Sequence, residues 1–411
     1  MTLGVTPGRV VIVGAGQGGY QAAASLRQDG FAGTLTLIGN EPGLPYQRPP
    51  LSKAYMKDGE AGRLLLKPAG FYERSAIDYR ERTRATAIDR AARTVLTEDG
   101  GVHPYDHLIL ATGARNFLPP IAGLDRAGVH GLRTLADAAD LRARLADCRS
   151  AAVIGGGFIG LEFAAVARAA GLEVTVLEAA SRLMGRVVSP EVSTHFAAAH
   201  AGMGTQILLD ARAEAVESGA VLLADGRRVE AELILLAAGV RPNVELAANA
   251  GLAVENGVVV DARLLTEDPA ISALGDCASF PLPGGRMVRL ESVQAAVDHA
   301  RHIARRLTAG DDAPYGAVAW FWSDQGEHKL QIAGFELDAD RRVVAPSPPG
   351  KLIVLNLAGD RLVAVETVNA PGPHMATRKL LASGRPVTLA EIEAAGFDLP
   401  RLAKERASVS A

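Results

Sequence analysis

"SAAVIGGGFIGLEFAAVARAAGLEVTVLE", Ser150 to Glu178, reads as strand, glycine-rich turn, helix, strand and terminal acid in one continuous segment. An apolar β-prone run leads into Gly155-x-Gly157-x-x-Gly160. The three glycines allow, in order, a tight turn, backbone approach to a pyrophosphate, and close packing of the helix on the strand. The helix start then faces the phosphates. A carboxylate at Glu178 suits a free ribose 2′-hydroxyl and repels a 2′-phosphate, which favours NAD(H) over NADP(H). Arg182 is the neighbouring charge that could work against that preference.

The same grammar occurs earlier. "RVVIVGAGQGGYQAAASLR", Arg9 to Arg27, places Gly14-x-Gly16-x-x-Gly19 between a strand and a helical segment. The next strand, "GTLTLIGNE", ends on Asn40 and Glu41, so either of these holds the ribose. Two dinucleotide folds imply two dinucleotides, and the natural pairing is a nicotinamide that delivers hydride and a flavin that receives it. "TEDPAISALGDCASF" ends an apolar strand on Gly275-Asp276, where an acid can hydrogen-bond a polyol chain. Flavin carries one and NAD does not, so the first motif is expected to hold the flavin.

Two similar buried strands, "YDHLILATGARNFLP" and "AELILLAAGVRPN", mark points where the chain leaves one domain and returns. The expected plan is a first domain in two pieces, 1–114 and 242–317, a nicotinamide domain at 115–241, and a C-terminal domain at 318–411. The tail alternates through "WFWSDQGEHKLQIAG" and "KLIVLNLAGDRLVAVETVN", which reads as antiparallel strands, with a helix near Leu389 to Ala395. The fold class is therefore α/β: two Rossmann-like domains plus a C-terminal α+β domain.

Length and composition agree with several domains and sizeable cores: 411 residues, 48% hydrophobic and 22% charged. A formal charge of −3 with mixed signs gives no reason to expect nucleic acid or an anionic membrane as a partner. No apolar run reaches bilayer length, and the first strand opens near Arg9 without room for a signal segment, so a cytoplasmic protein is expected. Cys148 and Cys277 are far apart in sequence, with no CxxC and no zinc spacing. No metal site is expected.

Taken together, VGAGQGG, LPYQRPPLSK, LILATGA, VIGGGFIGLE, ALGDCA, RLESVQAA and WFWSDQ resemble the FAD-dependent, NADH-using ferredoxin reductases of cytochrome P450 and Rieske-type oxygenase systems, across nearly the whole chain. The glycine motifs are shared with all flavoproteins of the disulfide-reductase fold, whereas RPPLSK with WFWSDQ is specific to this branch. The resemblance implies FAD contacts from Gly14, Gly16, Gly18, Gly19, Ala85, Ala111, Arg48 and Arg133, with Asn40 at a ribose position that is usually acidic. It implies that Gly275 and Asp276 meet the ribityl chain, Val293 the pyrimidine end of the ring, and Trp320 a place nearby. Gly155, Gly157, Gly160 and Glu178 match the NADH site. In "YQRPPLSKAY", two prolines stiffen the turn between Arg48 and Lys53. The resemblance places Lys53 beside the flavin ring and pairs it with Glu162, where a fixed positive charge favours the anionic reduced ring.

A redox-active cysteine pair is missing from 14–87, which excludes disulfide reductases and sends the electrons to an external acceptor. A [2Fe-2S] ferredoxin is the expected partner of a monomeric enzyme. Arg63, Lys67, Arg301, Arg305 and Arg306 are the cations considered for docking it, with the "ARHIARRL" helix preferred. Two other readings stay open: a flavin reductase of a small molecule such as a quinone, and a redox-sensing interaction protein resembling apoptosis-inducing factor.

Overall fold

The computed structural model describes residues 7–337 and 339–409. It divides into two compact units: 1–48, 60–115 and 240–317 form the first, and 49–59, 116–239 and 318–411 the second. The Pro49–Gly59 stretch thus packs apart from its sequence neighbours.

The first unit is built on a parallel sheet whose order is Ile271–Ala273, His107–Leu110, Arg9–Val13, Thr34–Ile38, Ile77–Arg80. Its central strands are apolar at successive positions because both faces are covered. Val10, Val11, Ile12, Leu108, Ile109 and Leu110 are all buried. The Gln17–Gln28 helix covers one face and lies against the Val293–Ala309 helix.

The second unit repeats the design with Gln206–Leu208, Glu173–Leu177, Ser150–Ile154, Leu233–Leu236 and Val129–His130, also parallel. Its Phe158–Ala169 helix buries Leu161, Phe163, Ala164 and Ala167. Strand order reverses beside Ser150–Ile154, as it does beside Arg9–Val13 in the first sheet. Ligands of open α/β sheets bind in the crevice at such switch points.

The second unit also holds a five-stranded antiparallel sheet, ordered Trp320–Gln325, His328–Gly334, Arg361–Val368, Leu352–Ala358, Arg341–Val344. The anticipated helix is present at Leu389–Ala394. Two further helices, Pro371–Ala382 and Leu399–Val409, were not anticipated. "PGP" at the head of the former reads as a breaker, but proline in the first helical turn loses no hydrogen bond. Among the described residues no helix is long and apolar enough to cross a membrane.

The last helices are tied by Arg406, whose Nη2 donates to both Glu391 oxygens at 2.6 and 2.7 Å. Arg406 and then the Thr388 N–H hold the Glu391 carboxyl down at about 2, against an ordinary 4.5. A carboxylate whose pKa is depressed on folding adds stability above its unfolded value, and that stability is lost as pH falls through the folded value. Arg406→Ala is therefore expected to be less stable than the wild type at neutral pH, with the gap in chemical denaturation midpoints shrinking between about pH 4.5 and about pH 2. A gap that stays constant over that range rules the mechanism out.

Candidate functional site

Both glycine motifs end a parallel strand and open a twelve-residue helix. In the first unit Gly14 is left-handed (φ +108), and a Cβ there would lie 2.1 Å from the Ala111 carbonyl oxygen. At Gly19 a Cβ would fall 1.8 Å from the Gly14 oxygen. The second unit matches it: Gly155 (φ +114) against Ala237 O at 2.4 Å, and Gly160 against Gly155 O at 2.2 Å. Between them, a Cβ at Gly16 or at Gly157 would meet nothing within 4 Å. The outer glycines serve chain packing, and the middle ones border open space.

The helix starts carry a second signal. Thr134, Ser189, Ser292 and Thr388 cap their helices through side-chain oxygens. Gly16 and Gly157 offer no side-chain cap. First-turn N–H groups are thus left without an intrahelical or capping partner, at the positive end of the helix dipole. An open, uncapped helix N-terminus above a glycine is the donor set a pyrophosphate requires. The residues present fit a dinucleotide in each unit.

Gly18 differs from its neighbours. Its Cβ would strike Leu274 Cδ1 at 2.4 Å, so its small size lets the helix pack on that leucine and on Ala296. Asn40 is exposed, while Glu41 turns inward. Glu41 Oε1 accepts from Arg48 Nη2 at 2.5 Å and Glu41 Oε2 from the Tyr46 hydroxyl at 2.5 Å. Burial draws the Arg48 pKa down, but Tyr46, Glu41 and Asp276 more than restore it, for a net rise. Asp276 sits in the one-turn helix Gly275–Cys277, and the Gly275 N–H donates to His299 Nδ1 at 3.2 Å. Val293 begins the Val293–Ala309 helix, where its N–H has no intrahelical acceptor. Ala85 opens a separate antiparallel sheet in this unit.

In the second unit Glu178 follows the Glu173–Leu177 strand and accepts from the Gly156 and Ala180 N–H groups, both at 2.8 Å. Arg182 does not turn to that carboxylate. Its Nη1 donates to Val188 O and Ser193 Oγ, and its Nη2 to Gly185 O. Arg133 precedes the capped Leu135–Asp147 helix. Trp320 lies 4.2 Å beneath the Arg378 guanidinium carbon.

Lys53 and Glu162 meet. Lys53 Nζ lies 2.9 Å from Glu162 Oε1, with the glutamate 6% and the lysine 20% exposed by side chain. Sequence reasoning missed two further partners: Ser323 Oγ donates to Glu162 Oε1 at 2.7 Å and Ser52 Oγ to Oε2 at 2.6 Å. Both serines lay inside motifs already singled out, RPPLSK and WFWSDQ, and their burial was the missing signal.

One docking expectation is corrected. Arg306 is not a surface cation: its Nη2 donates to Ser272 Oγ at 2.7 Å, and burial lowers its pKa to about 10. Arg301 and Arg305 are exposed and lie four apart on one helix face, whereas Arg306 is turned about 100° toward the core. Cys148 and Cys277 are both buried free thiols, and they belong to different units.

Comparison with known proteins bears on this arrangement. Residues 8–300 match the model of the family described as pyridine nucleotide-disulphide oxidoreductase, and residues 320–403 match that described as reductase C-terminal. Rhodocoxin reductase of Rhodococcus erythropolis is 47% identical over 398 residues, covering 95% of this chain and 93% of that protein. The crystal structure of the ferredoxin reductase for the CYP199A2 system from Rhodopseudomonas palustris superposes with a TM-score of 0.93 at 44% identity, covering 96% of this chain and all of the other (100%). In the covalent putidaredoxin reductase–putidaredoxin complex the matching chain gives 0.89 at 38% identity, covering 94% and 98%.

The geometry separates the glycines by experiment. Gly157→Ala is expected to fold with an unchanged melting midpoint and to weaken dinucleotide binding at least tenfold, as read by calorimetry. Gly160→Ala forces overlap with a backbone oxygen and is expected to cost about 1–3 kcal/mol of stability. Equal thermal effects of the two substitutions contradict this division.

Proposed function

The chain belongs to the pyridine nucleotide-disulphide oxidoreductase family, and from that membership we propose a flavoprotein reductase that passes electrons from NADH through FAD to a [2Fe-2S] ferredoxin serving a P450 or Rieske-type oxygenase. The observation that carries this reading is the pair of uncapped helix starts, each over an open glycine, in two separate parallel sheets. We place the enzyme in the cytoplasm, as a monomer, with an FAD domain of two segments (1–114 and 242–317), an NADH domain (115–241) and a C-terminal domain (318–411).

In this reading Gly14, Gly16, Gly18, Gly19, Ala85, Ala111, Arg48, Gly275, Asp276 and Val293 hold FAD, with Asn40 or Glu41 at the ribose and Arg133, Lys53 and Trp320 completing the set. Gly155, Gly157, Gly160 and Glu178 hold NADH. When bound, FAD supplies the conversion between a two-electron donor and a one-electron acceptor. The chain's own part is to bind, orient and neutralise. Uncapped N–H groups hold pyrophosphates, and Arg48, fixed by Glu41, adds a positive charge in the first unit. Lys53, fixed by Glu162, presents an ammonium whose direction is set by a buried partner. No side chain has to carry a proton in hydride transfer, and none is assigned as a general base.

Arg182 supports NADH over NADPH, because its donors are committed to Val188, Ser193 and Gly185. An anaerobic titration tests the reading. The yellow protein is expected to bleach with about one equivalent of NADH and to need at least tenfold more NADPH. Rapid cytochrome c reduction is expected only when a [2Fe-2S] ferredoxin is added. A colourless protein, or one that stays oxidised under excess NADH, overturns the proposal.

The exposed pair on the Val293–Ala309 helix gives a separate test. Arg301→Glu with Arg305→Glu is expected to raise the apparent KM for ferredoxin at least fivefold while ferricyanide reduction stays at the wild-type rate. Parallel loss of both activities removes this face from consideration.

A further inference from the structure

The Trp320–Gln325 strand alternates its side chains, so residues 321, 323 and 325 share one face. That face reads along two helices of the same unit. Phe321 packs on Phe158 with ring centroids 4.5 Å apart, and Ser323 bonds Glu162, which lies four residues further along the same helix face. Gln325 is fully buried. Its amide nitrogen donates to Ser323 Oγ at 3.3 Å and to Met184 Sδ at 3.6 Å, and its amide oxygen lies 3.0 Å from His200 Nε2.

The chain of bonds has a direction. Burial lowers the His200 pKa, which favours the neutral ring, and Nε2 donates to the Gln325 oxygen. The Gln325 nitrogen in turn fills a lone pair of Ser323 Oγ. A hydroxyl has one hydrogen, and here it points to the carboxylate. His200, Gln325 and Ser323 are all 0% exposed, so no solvent competes for these bonds.

We propose that Ser323, oriented by Gln325 and His200, is a positioning residue that holds the Glu162 carboxylate where it pairs with Lys53. Glu162 Oε1 receives both Lys53 and Ser323, while Oε2 receives Ser52. Without the Ser323 hydroxyl, only Lys53 remains on Oε1. The terminal carboxylate torsion is broad, so the group can then rotate, and the flexible lysine stem can swing its ammonium into water. A purely structural serine would affect stability and leave Lys53 as it was. The consequence for hydride transfer rests on the function proposed above, whereas the positioning itself does not.

The test compares Ser323→Ala and Ser323→Thr in the purified flavoprotein by two independent readouts. In the first, competitive acetylation followed by peptide mass spectrometry measures Lys53 against the exposed Lys57. Hydrogen bonds to charged groups are the stronger ones, and with that of Ser323 gone Lys53 labelling is expected to rise about tenfold in the alanine variant and to return to wild type in the threonine variant. In the second, the limiting rate of flavin reduction is expected to fall about tenfold with the half-saturating NADH concentration unchanged. The midpoint potential is expected to fall as well, because an ammonium that has swung into water no longer favours the anionic reduced ring. Threonine restores both. Unchanged Lys53 labelling in the alanine variant overturns the proposal whatever the kinetics, as does a threonine variant no better than alanine. A wild-type protein that NADH does not reduce overturns the proposed function instead, and the labelling still decides the role of Ser323.

Discussion

A carboxylate that is 6% exposed by side chain needs partners, because removing such a charge from water costs several kcal/mol. Glu162 meets that cost with three donors from two segments distant in sequence: Lys53 and Ser52 from the proline turn, and Ser323 from the C-terminal sheet. One ion therefore fixes the place of both segments against the second-motif helix. It acts together with packing of the same stretch on the Leu135–Asp147 helix, and Pro49–Gly59 belongs to the second unit although the residues on either side belong to the first. The two cations that flank the prolines serve different carboxylates, Arg48 on Glu41 and Lys53 on Glu162. Pro49 and Pro50 open a short 3₁₀ turn whose fixed φ angles stiffen the chain between those cations.

The two glycine motifs have the same backbone physics and different electrostatics. In each, the outer glycines are compressed against a carbonyl and the middle one is open. After the second strand of each sheet the copies diverge. Glu178 folds back on the N–H of Gly156, inside its own glycine turn. Its counterpart region gives the exposed position to Asn40 and commits Glu41 to Arg48. The first copy thus uses its acid to steady a cation, and Asp276 adds to the same local field. That asymmetry sets the two copies apart electrostatically although their glycine turns are alike.

The sequence was legible where local rules and tertiary packing agree. Strand, glycine turn and helix are specified within one segment, so Gly14 to Gly19 and Gly155 to Gly160 could be placed from spacing alone. The antiparallel tail was readable from its alternation. The Pro371–Ala382 helix was not, because proline and glycine at its head mimic a turn. Ser52 and Ser323 were not legible as ligands of Glu162, since a serine in a motif says nothing about which hydroxyl is dry. Arg306 failed in the opposite way: three arginines in "ARHIARRL" look equivalent as letters, and only the helix's rotation turns one of them toward Ser272.

The family's name carries a disulfide, and the thiols present are unsuited to that chemistry. Cys277 is fully buried beside Asp276, with its Sγ within 3.2 Å of the Leu274 oxygen, and burial raises its pKa. Cys148 is raised in the same way and lies in the other unit. The reactive form of cysteine is the thiolate, and a raised pKa in an apolar setting suppresses it. An electron pair delivered to this fold then has no sulfur on which to rest, so the surface near the acceptor, not an internal dithiol, must decide where it goes.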